Sequence, residues 1–306
     1  MQKEILLNNN ITIPCIGNGP MIPEYNANKF LKSNNPVAKL TKRAYNKFYG
    51  RHKVEANYID AVAHSFQAGF KLLDYSSSYG DGSLIGKAIK KSHIERKDLF
   101  LTTRISNKAQ REKTVRECLM EQLKGMGTDY VDLLMFHWPV TGYYLDTWQQ
   151  MIKLYKEGYC RALGVANCHQ HHLEEIFKTS DIIPAINQIE IHPLFTQKAL
   201  IAYCQEHNIQ VKAYTAIARM DDRLVRLPLL KEIARKYNKT IVQIVLRWHI
   251  QNGVIPVVRS LNKGRQIENI SIFDFVLTDQ EMAAIDSVNI NSRLRYDPDN
   301  CDFSIL

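Results

Sequence analysis

Short apolar runs alternate with longer segments in which apolar residues recur every three or four positions, over most of the chain. The runs occupy residues 15–17, 70–73, 99–102, 131–136, 162–165, 185–189, 210–213 and 254–257. They are nearly continuous rather than alternating, as strands buried on both faces require. Between them, Ile59, Val62, Ala63 and Phe66 share one helical face before Gly69, and Val115, Leu119 and Leu123 do so before Gly125. Leu173, Ile176 and Phe177 repeat the pattern, as do Ile241, Ile244, Val245 and Trp248 before Gly253. Apolar residues at this spacing, stopped by glycine, predict amphipathic helices. Eight strands alternating with helices predict an α/β fold, a (β/α)8 TIM barrel. Ahead of it, Ile5-Leu-Leu and Ile11-Thr-Ile flank Asn8-Asn9-Asn10, which predicts an N-terminal β-hairpin. Residues 21–53 and 289–306 fall outside the repeat, as a long β1–α1 insertion and a C-terminal loop.

Length and composition fit one such unit. The chain has 306 residues, 45% hydrophobic and 23% charged, and barrels commonly exceed ~250 residues as one domain. A single domain over 1–306 is expected. No run reaches the ~18 apolar residues of a membrane span, and the first residues lack a signal-peptide core, so a cytoplasmic protein without membrane contact is expected. Six scattered cysteines without a C-x-x-C pair argue against a disulfide framework or a zinc ribbon.

Barrel enzymes carry their reactive groups at the C-terminal ends of the strands. Those positions hold Asp74, Arg104, His137, Asn167, Gln188, Tyr214 and Arg259, with Tyr79 five residues beyond Asp74. Around them stand Ala68-Gly-Phe-Lys-Leu-Leu-Asp-Tyr-Ser-Ser-Ser-Tyr79-Gly, Leu133-Leu-Met-Phe-His137-Trp-Pro139 and Leu163-Gly-Val-Ala-Asn167. Asn187-Gln188-Ile-Glu-Ile-His192-Pro193, Lys212-Ala-Tyr214, Val254-Ile-Pro256, Arg265-Gln-Ile-Glu268-Asn269 and Arg295-Tyr-Asp-Pro298-Asp follow in order. In these pieces, their order and their spacing, the chain resembles the aldo-keto reductase family over nearly its whole length.

The resemblance implies NADPH-dependent reduction of an aldehyde or ketone to an alcohol, without a metal. It implies Tyr79 as proton donor, Asp74 as holder of a neighbouring cation, His137 as a partner of the carbonyl oxygen and Trp138 as a wall of the substrate pocket. A cation beside a phenol stabilises its phenolate, which is expected to lower the Tyr79 pKa and assist proton transfer. The family's cation is a lysine after Thr-Thr, whereas this chain has Leu101-Thr-Thr-Arg104. A planar guanidinium fork is not a compact ammonium. Bidentate pairing of Arg104 with Asp74, away from Tyr79, is one expected consequence. An NADP(H)-binding regulatory or sensor protein with impaired catalysis is therefore the alternative to a reductase.

The same resemblance places Asn167 and Gln188 on the nicotinamide carboxamide and Tyr214 against its ring, with Ala166 where the family has serine. Arg259-Ser260 stands for its Lys-Ser, with Arg265, Glu268 and Asn269 at family spacing. Arg259 and Arg265 suit a 2′-phosphate, since guanidinium donors match phosphate oxygens, which favours NADP over NAD. Glu268 and Asn269 are then expected near the adenine.

Other motifs carry less. Gly80-Asp-Gly82 lacks the G-x-G-x-x-G spacing, and Tyr49-Gly-Arg-His-Lys53 has no nucleotide-binding half before it. His169, His171 and His172 open a helix without a partner cluster in the sequence, so they read as solvated residues and not as a zinc site. Cys168, beside Asn167, is a candidate for oxidation. Net charge is +9, from 40 Lys and Arg against 31 Asp and Glu. Eight basic residues and Glu24 alone among acids put +7 of it in residues 21–53. That concentration, with no nucleic-acid recognition motif, makes the charge a property of one insertion facing the site and argues against nucleic acid as a partner. A small-molecule carbonyl partner and a monomer or weak dimer are expected.

Overall fold

The computed structural model describes residues 4–22, 41 and 50–303. Most of the basic insertion 21–53 therefore lies outside the described residues, as does the end of the 289–306 tail. A hairpin of β1 (Glu4–Leu6) and β2 (Thr12–Pro14) precedes eight strands. These are β3 (Gly17–Asn18), β4 (Leu72–Asp74), β5 (Phe100–Ile105), β6 (Val131–Phe136), β7 (Cys160–Ala166), β8 (Ile186–Glu190), β9 (Gln210–Tyr214) and β10 (Ile255–Val258). All neighbouring pairs are parallel, and β10 pairs with β3 to close the barrel. The expected (β/α)8 architecture is the observed one, with strand ends moved by a few residues.

The helices cover the barrel because their apolar stripes face the strands. Helix Arg51–Gln67 buries Tyr58, Val62 and Phe66, and helix Ile241–Gln251 buries Ile244, Val245 and Trp248. Gly125, read from the sequence as a helix stop, lies inside helix Val115–Met126. The turn that ends this helix is left-handed, with Gly127 at φ 68°, a conformation glycine adopts at little cost.

The hairpin seals the N-terminal end. Its Leu7 and Ile13 pack against Leu72, Phe100, Leu133, Ile186 and Ile255 from the barrel interior. Asn8 and Asn9 donate through their amides to the carbonyls of Pro184, just before β8, and Arg161, at the start of β7. With that end plugged, strand-end residues are reachable from the opposite mouth.

Candidate active site

Four of the expected residues meet at that mouth. Asp74 ends β4, Arg104 lies near the end of β5, His137 follows β6, and Tyr79 closes a short 3-10 turn, Ser77–Tyr79, capped by the Ser76 hydroxyl. Arg104 is 2% exposed. Its Nη2 donates to Asp74 Oδ2 at 2.6 Å and to Gln188 Oε1 at 2.5 Å, and its Nη1 donates to the Tyr75 carbonyl at 2.8 Å. The guanidinium carbon lies 5.6 Å from the centre of the Tyr79 ring, within cation–π range. Tyr79 and His137 meet edge to face, with ring centres 6.1 Å apart.

The bidentate pairing expected of Arg104 and Asp74 does not form. The second carboxylate oxygen belongs to a residue that sequence reasoning passed over. Lys212 on β9 donates from Nζ to Asp74 Oδ1 at 2.9 Å and lies 3.5 Å from Thr102 Oγ1, with no exposed surface. One carboxylate thus serves two cations, and Gln188 Nε2 approaches Asp74 Oδ2 at 3.2 Å. The signal was available. In Val211-Lys212-Ala213 a lysine interrupts an otherwise apolar strand, and alternation along a barrel strand sends every second residue into the lumen.

The electrostatics follow from this packing. Burial alone would raise the Asp74 pKa, but Arg104 and Lys212 outweigh it and hold the carboxyl well below its ordinary range. Burial pushes Lys212 down to about 8, against the pull of Asp74. Burial together with Arg104 lowers His137 to about 3, leaving a neutral imidazole at neutral pH. Tyr79 departs from expectation. Burial raises its phenol above the ordinary value, and Arg104 only partly offsets that.

Two cavities open on this cluster. One, of about 280 Å³, is lined by Tyr79, Arg104, His137, Trp138, Asn167 and Arg295. The other, a groove of about 620 Å³, runs past Asp74, Tyr79, Tyr214, Arg219, Val258 and Arg259. Tyr214 lies on both, its hydroxyl donating to Asn167 Oδ1 at 2.7 Å, and Asn167 Nδ2 donates to the His137 carbonyl at 2.9 Å. Asn167 itself is left-handed, φ 61°, a conformation asparagine tolerates better than most residues. A larger cleft of about 920 Å³ is lined by Asp81, Glu112, Glu117 and Glu121 and contains none of the four clustered residues.

Arg259 lines the groove's far end; it and Arg265, six residues on, are exposed without a carboxylate partner among the described residues. Asn262 caps helix Lys263–Ile270, accepting from the Arg265 N–H, and the Ser260 hydroxyl bonds across the same turn. Asn269 is buried. Glu268 accepts from the Thr240 hydroxyl at 2.8 Å, so it joins two helices.

Trp138 is buried against Val140 and Phe303, and its ring centre lies 6.4 Å from that of Tyr296. The C-terminal loop therefore forms part of the pocket wall. Glu190, at the end of β8, moors that loop. Its Oε1 accepts from the Leu294 N–H at 2.7 Å and its Oε2 from the Arg295 N–H at 2.9 Å.

His171 is exposed, as the solvated reading expects, and His172 is buried, against it; all three histidines, with His169, gather around one partner that the sequence does not reveal. Asp299 Oδ2 lies 2.7 Å from His169 Nδ1, and its Oδ1 lies 3.3 Å from His171 Nε2 and 3.8 Å from His172 Nε2. His172 Nδ1 accepts from the His169 N–H at 3.1 Å. In the neutral ring its Nε2 then carries the proton. The cluster is a second mooring of the C-terminal loop. Cys168 is fully buried, and burial pushes its thiol well above the ordinary value, which makes it a poor nucleophile.

A closed parallel barrel with an acid–cation cluster, a phenol and an imidazole at its open mouth, beside a long groove, is the build of a barrel enzyme. The Aldo/keto reductase family model matches residues 46–290, and the chain belongs to that family. It is 40% identical over 249 residues to the uncharacterized oxidoreductase YtbE of Bacillus subtilis (strain 168), covering 80% of this chain and 88% of that protein. It is 38% identical over 244 residues to the glyoxal reductase of the same organism, with 80% and 88% covered. A crystal structure of a Bombyx mori aldo-keto reductase in complex with NADP superposes with TM-score 0.81 at 31% identity, covering 98% of this chain and 96% of that one. Among the described residues, no helix is long and apolar enough to cross a membrane.

Proposed function

We propose that the protein is an NADP(H)-dependent reductase of small aldehydes or ketones, acting as one domain over residues 1–306, with Tyr79 as proton donor. The observation that carries this reading is the convergence of Tyr79, His137 and Arg104 on the wall of one small cavity at the barrel mouth, with Asp74 holding Arg104 from behind. Relatives named glyoxal reductase and methylglyoxal reductase, and the silkworm structure with NADP, support it.

The groove fits the cofactor. It is open, it borders the reacting pair, and it ends at Arg259, a guanidinium without a described carboxylate partner. Arg259 and Arg265 would hold the 2′-phosphate, and Ser260 and Asn269 would line the nucleotide end. Asn167, Gln188 and Tyr214 would position the nicotinamide, although Gln188 already spends hydrogen bonds on Arg104 and Asp74. When bound, NADPH supplies the hydride. The chain's own residues do the rest. His137, kept neutral by burial, donates an N–H to the carbonyl oxygen and polarises it. Tyr79, kept protonated by burial, gives its proton to that oxygen as negative charge develops there. Arg104 stands over the phenol ring and stabilises the phenolate left behind. Asp74 holds Arg104, and Trp138 closes the pocket.

Arginine cannot pass on a proton and spreads its charge, so turnover below that of the lysine form is expected. Arg104→Lys should raise kcat about tenfold without changing NADPH affinity, measured by NADPH oxidation against a panel of aldehydes and ketones including methylglyoxal. Tight NADPH binding with no turnover of any panel member by either protein overturns the reductase reading and leaves a cofactor-binding sensor.

A further inference from the structure

We infer that Arg295 is the anchor for a carboxylate on the substrate, which makes the preferred substrates short aldehydes or ketones that carry an acid group. The inference rests on the reductase reading and names the substrate class of the same site.

The catalytic cavity has two cationic side chains in its wall, Arg104 and Arg295, and no aspartate or glutamate. Arg104 is compensated by Asp74. Arg295 is half-buried, and no carboxylate pairs with it among the described residues. Its neighbour Glu190 forms no ion pair with it and is engaged elsewhere: each carboxylate oxygen accepts a backbone N–H, and one also meets His192 Nε2 at 3.0 Å. Its guanidinium carbon lies 5.4 Å from the centre of the Tyr296 ring.

The position is built. A carboxylate with about 1% of its surface exposed, Glu190, fixes the backbone of Leu294 and Arg295, and the Asp299–histidine cluster fixes the loop again four residues on. Arg295 therefore stands on a loop tied down on both sides, on the wall that also carries Tyr79, His137 and Trp138. Its charge reaches the reacting pair, lowering the pKa of both Tyr79 and His137 as a minor contribution.

A partly desolvated guanidinium without a counter-ion attracts the anion that best matches its fork, a carboxylate or a phosphate. The cavity is about 280 Å³, at the small end of ligand pockets, so the substrate is short. Arg295 also borders the groove that ends at Arg259. A cofactor phosphate is thus the rival anion, and the experiment separates the two.

The full chain, Arg295→Met and Arg295→Lys are compared on two substrate pairs, succinic semialdehyde with butanal and 4-formylbenzoate with benzaldehyde. The readout is the ratio of kcat/KM for the acid to that for the neutral partner. The native ratio should exceed about ten, Arg295→Met should lower it by about tenfold or more, and Arg295→Lys should recover part of it. In parallel, succinate is titrated by calorimetry into each protein saturated with NADP, and Arg295→Met should weaken its binding by a similar factor. An unchanged ratio in Arg295→Met overturns the inference. So does a weakening of NADPH binding alone, which assigns Arg295 to the cofactor. If no aldehyde is reduced, the reductase reading falls, and the succinate titration by itself decides whether Arg295 binds a carboxylate.

Discussion

A single lysine changes how the centre of this site is held together. Asp74 divides its two oxygens between Arg104 and Lys212, so the arginine meets it through one nitrogen and stays 5.6 Å from the centre of the Tyr79 ring. The groups packed on Lys212 are Asp74, Thr102 and Arg104, and of these Asp74 favours its charged form while Arg104 opposes it. Burial dominates, and the folded pKa of about 8 lies below the ordinary 10.5. Between those values the unfolded chain holds a proton that the folded chain has given up, so this residue's contribution to stability rises with pH across that window. Below pH 8 that contribution is absent. Denaturant titrations of the native chain and Lys212→Met should show the difference in stability shifting toward the native chain from pH 8 to 10.5, by a few kcal/mol at about 1.4 per unit. A difference that stays constant over this range would falsify the buried titration.

Whole elements were more legible in the sequence than the contacts between them. Strand β6 falls on residues 131–136 as its apolar run indicates, and the Asn8–Asn10 turn joins β1 to β2. Strand ends such as Asp74, His137 and Tyr214 were identifiable because a polar residue ends each apolar run. Lys212 was missed because it was read as part of a strand and not as a group pointing inward. The partner of the three histidines was missed because Asp299 lies some 130 residues further on, and periodicity carries no information about such long-range contacts. Glu190 belongs to the same class, a strand residue whose purpose is set by a distant loop. Its amide variant tests that purpose. Glu190→Gln keeps one acceptor oxygen and turns an NH2 group toward a backbone N–H, leaving a buried donor without a partner. A loss of about 1–3 kcal/mol in stability is expected. The released loop should also raise the KM of the carbonyl substrate more than it weakens NADPH; equal losses would show that the loop serves the fold rather than the pocket.

The whole chain is nearly neutral apart from one segment of its sequence that holds the surplus positive charge. Residues 21–53 carry +7 of the net +9, and their described beginning is at the site. Met21 lines both cavities, and the Ile22 N–H donates to the Tyr79 carbonyl at 3.1 Å. The insertion thus begins beside Tyr79, and any pull its charges exert on a substrate would depend on salt. The screening length is ~10 Å at 0.1 M and ~3 Å at 1 M, whereas the contact made by Arg295 is short and half-buried. The two contributions to anion preference are therefore separable. If the insertion draws acidic substrates toward the mouth, kcat/KM for succinic semialdehyde should fall roughly tenfold as salt rises from low to molar concentration, while that for butanal stays level. Deleting residues 28–50 should raise KM for the acid at low salt and flatten its salt dependence. The acid preference that survives at high salt should remain in the deleted protein and disappear only with Arg295→Met. A salt slope that persists undiminished after the deletion would place the attracting charge on the barrel itself, and the insertion would then be a solvated surface loop.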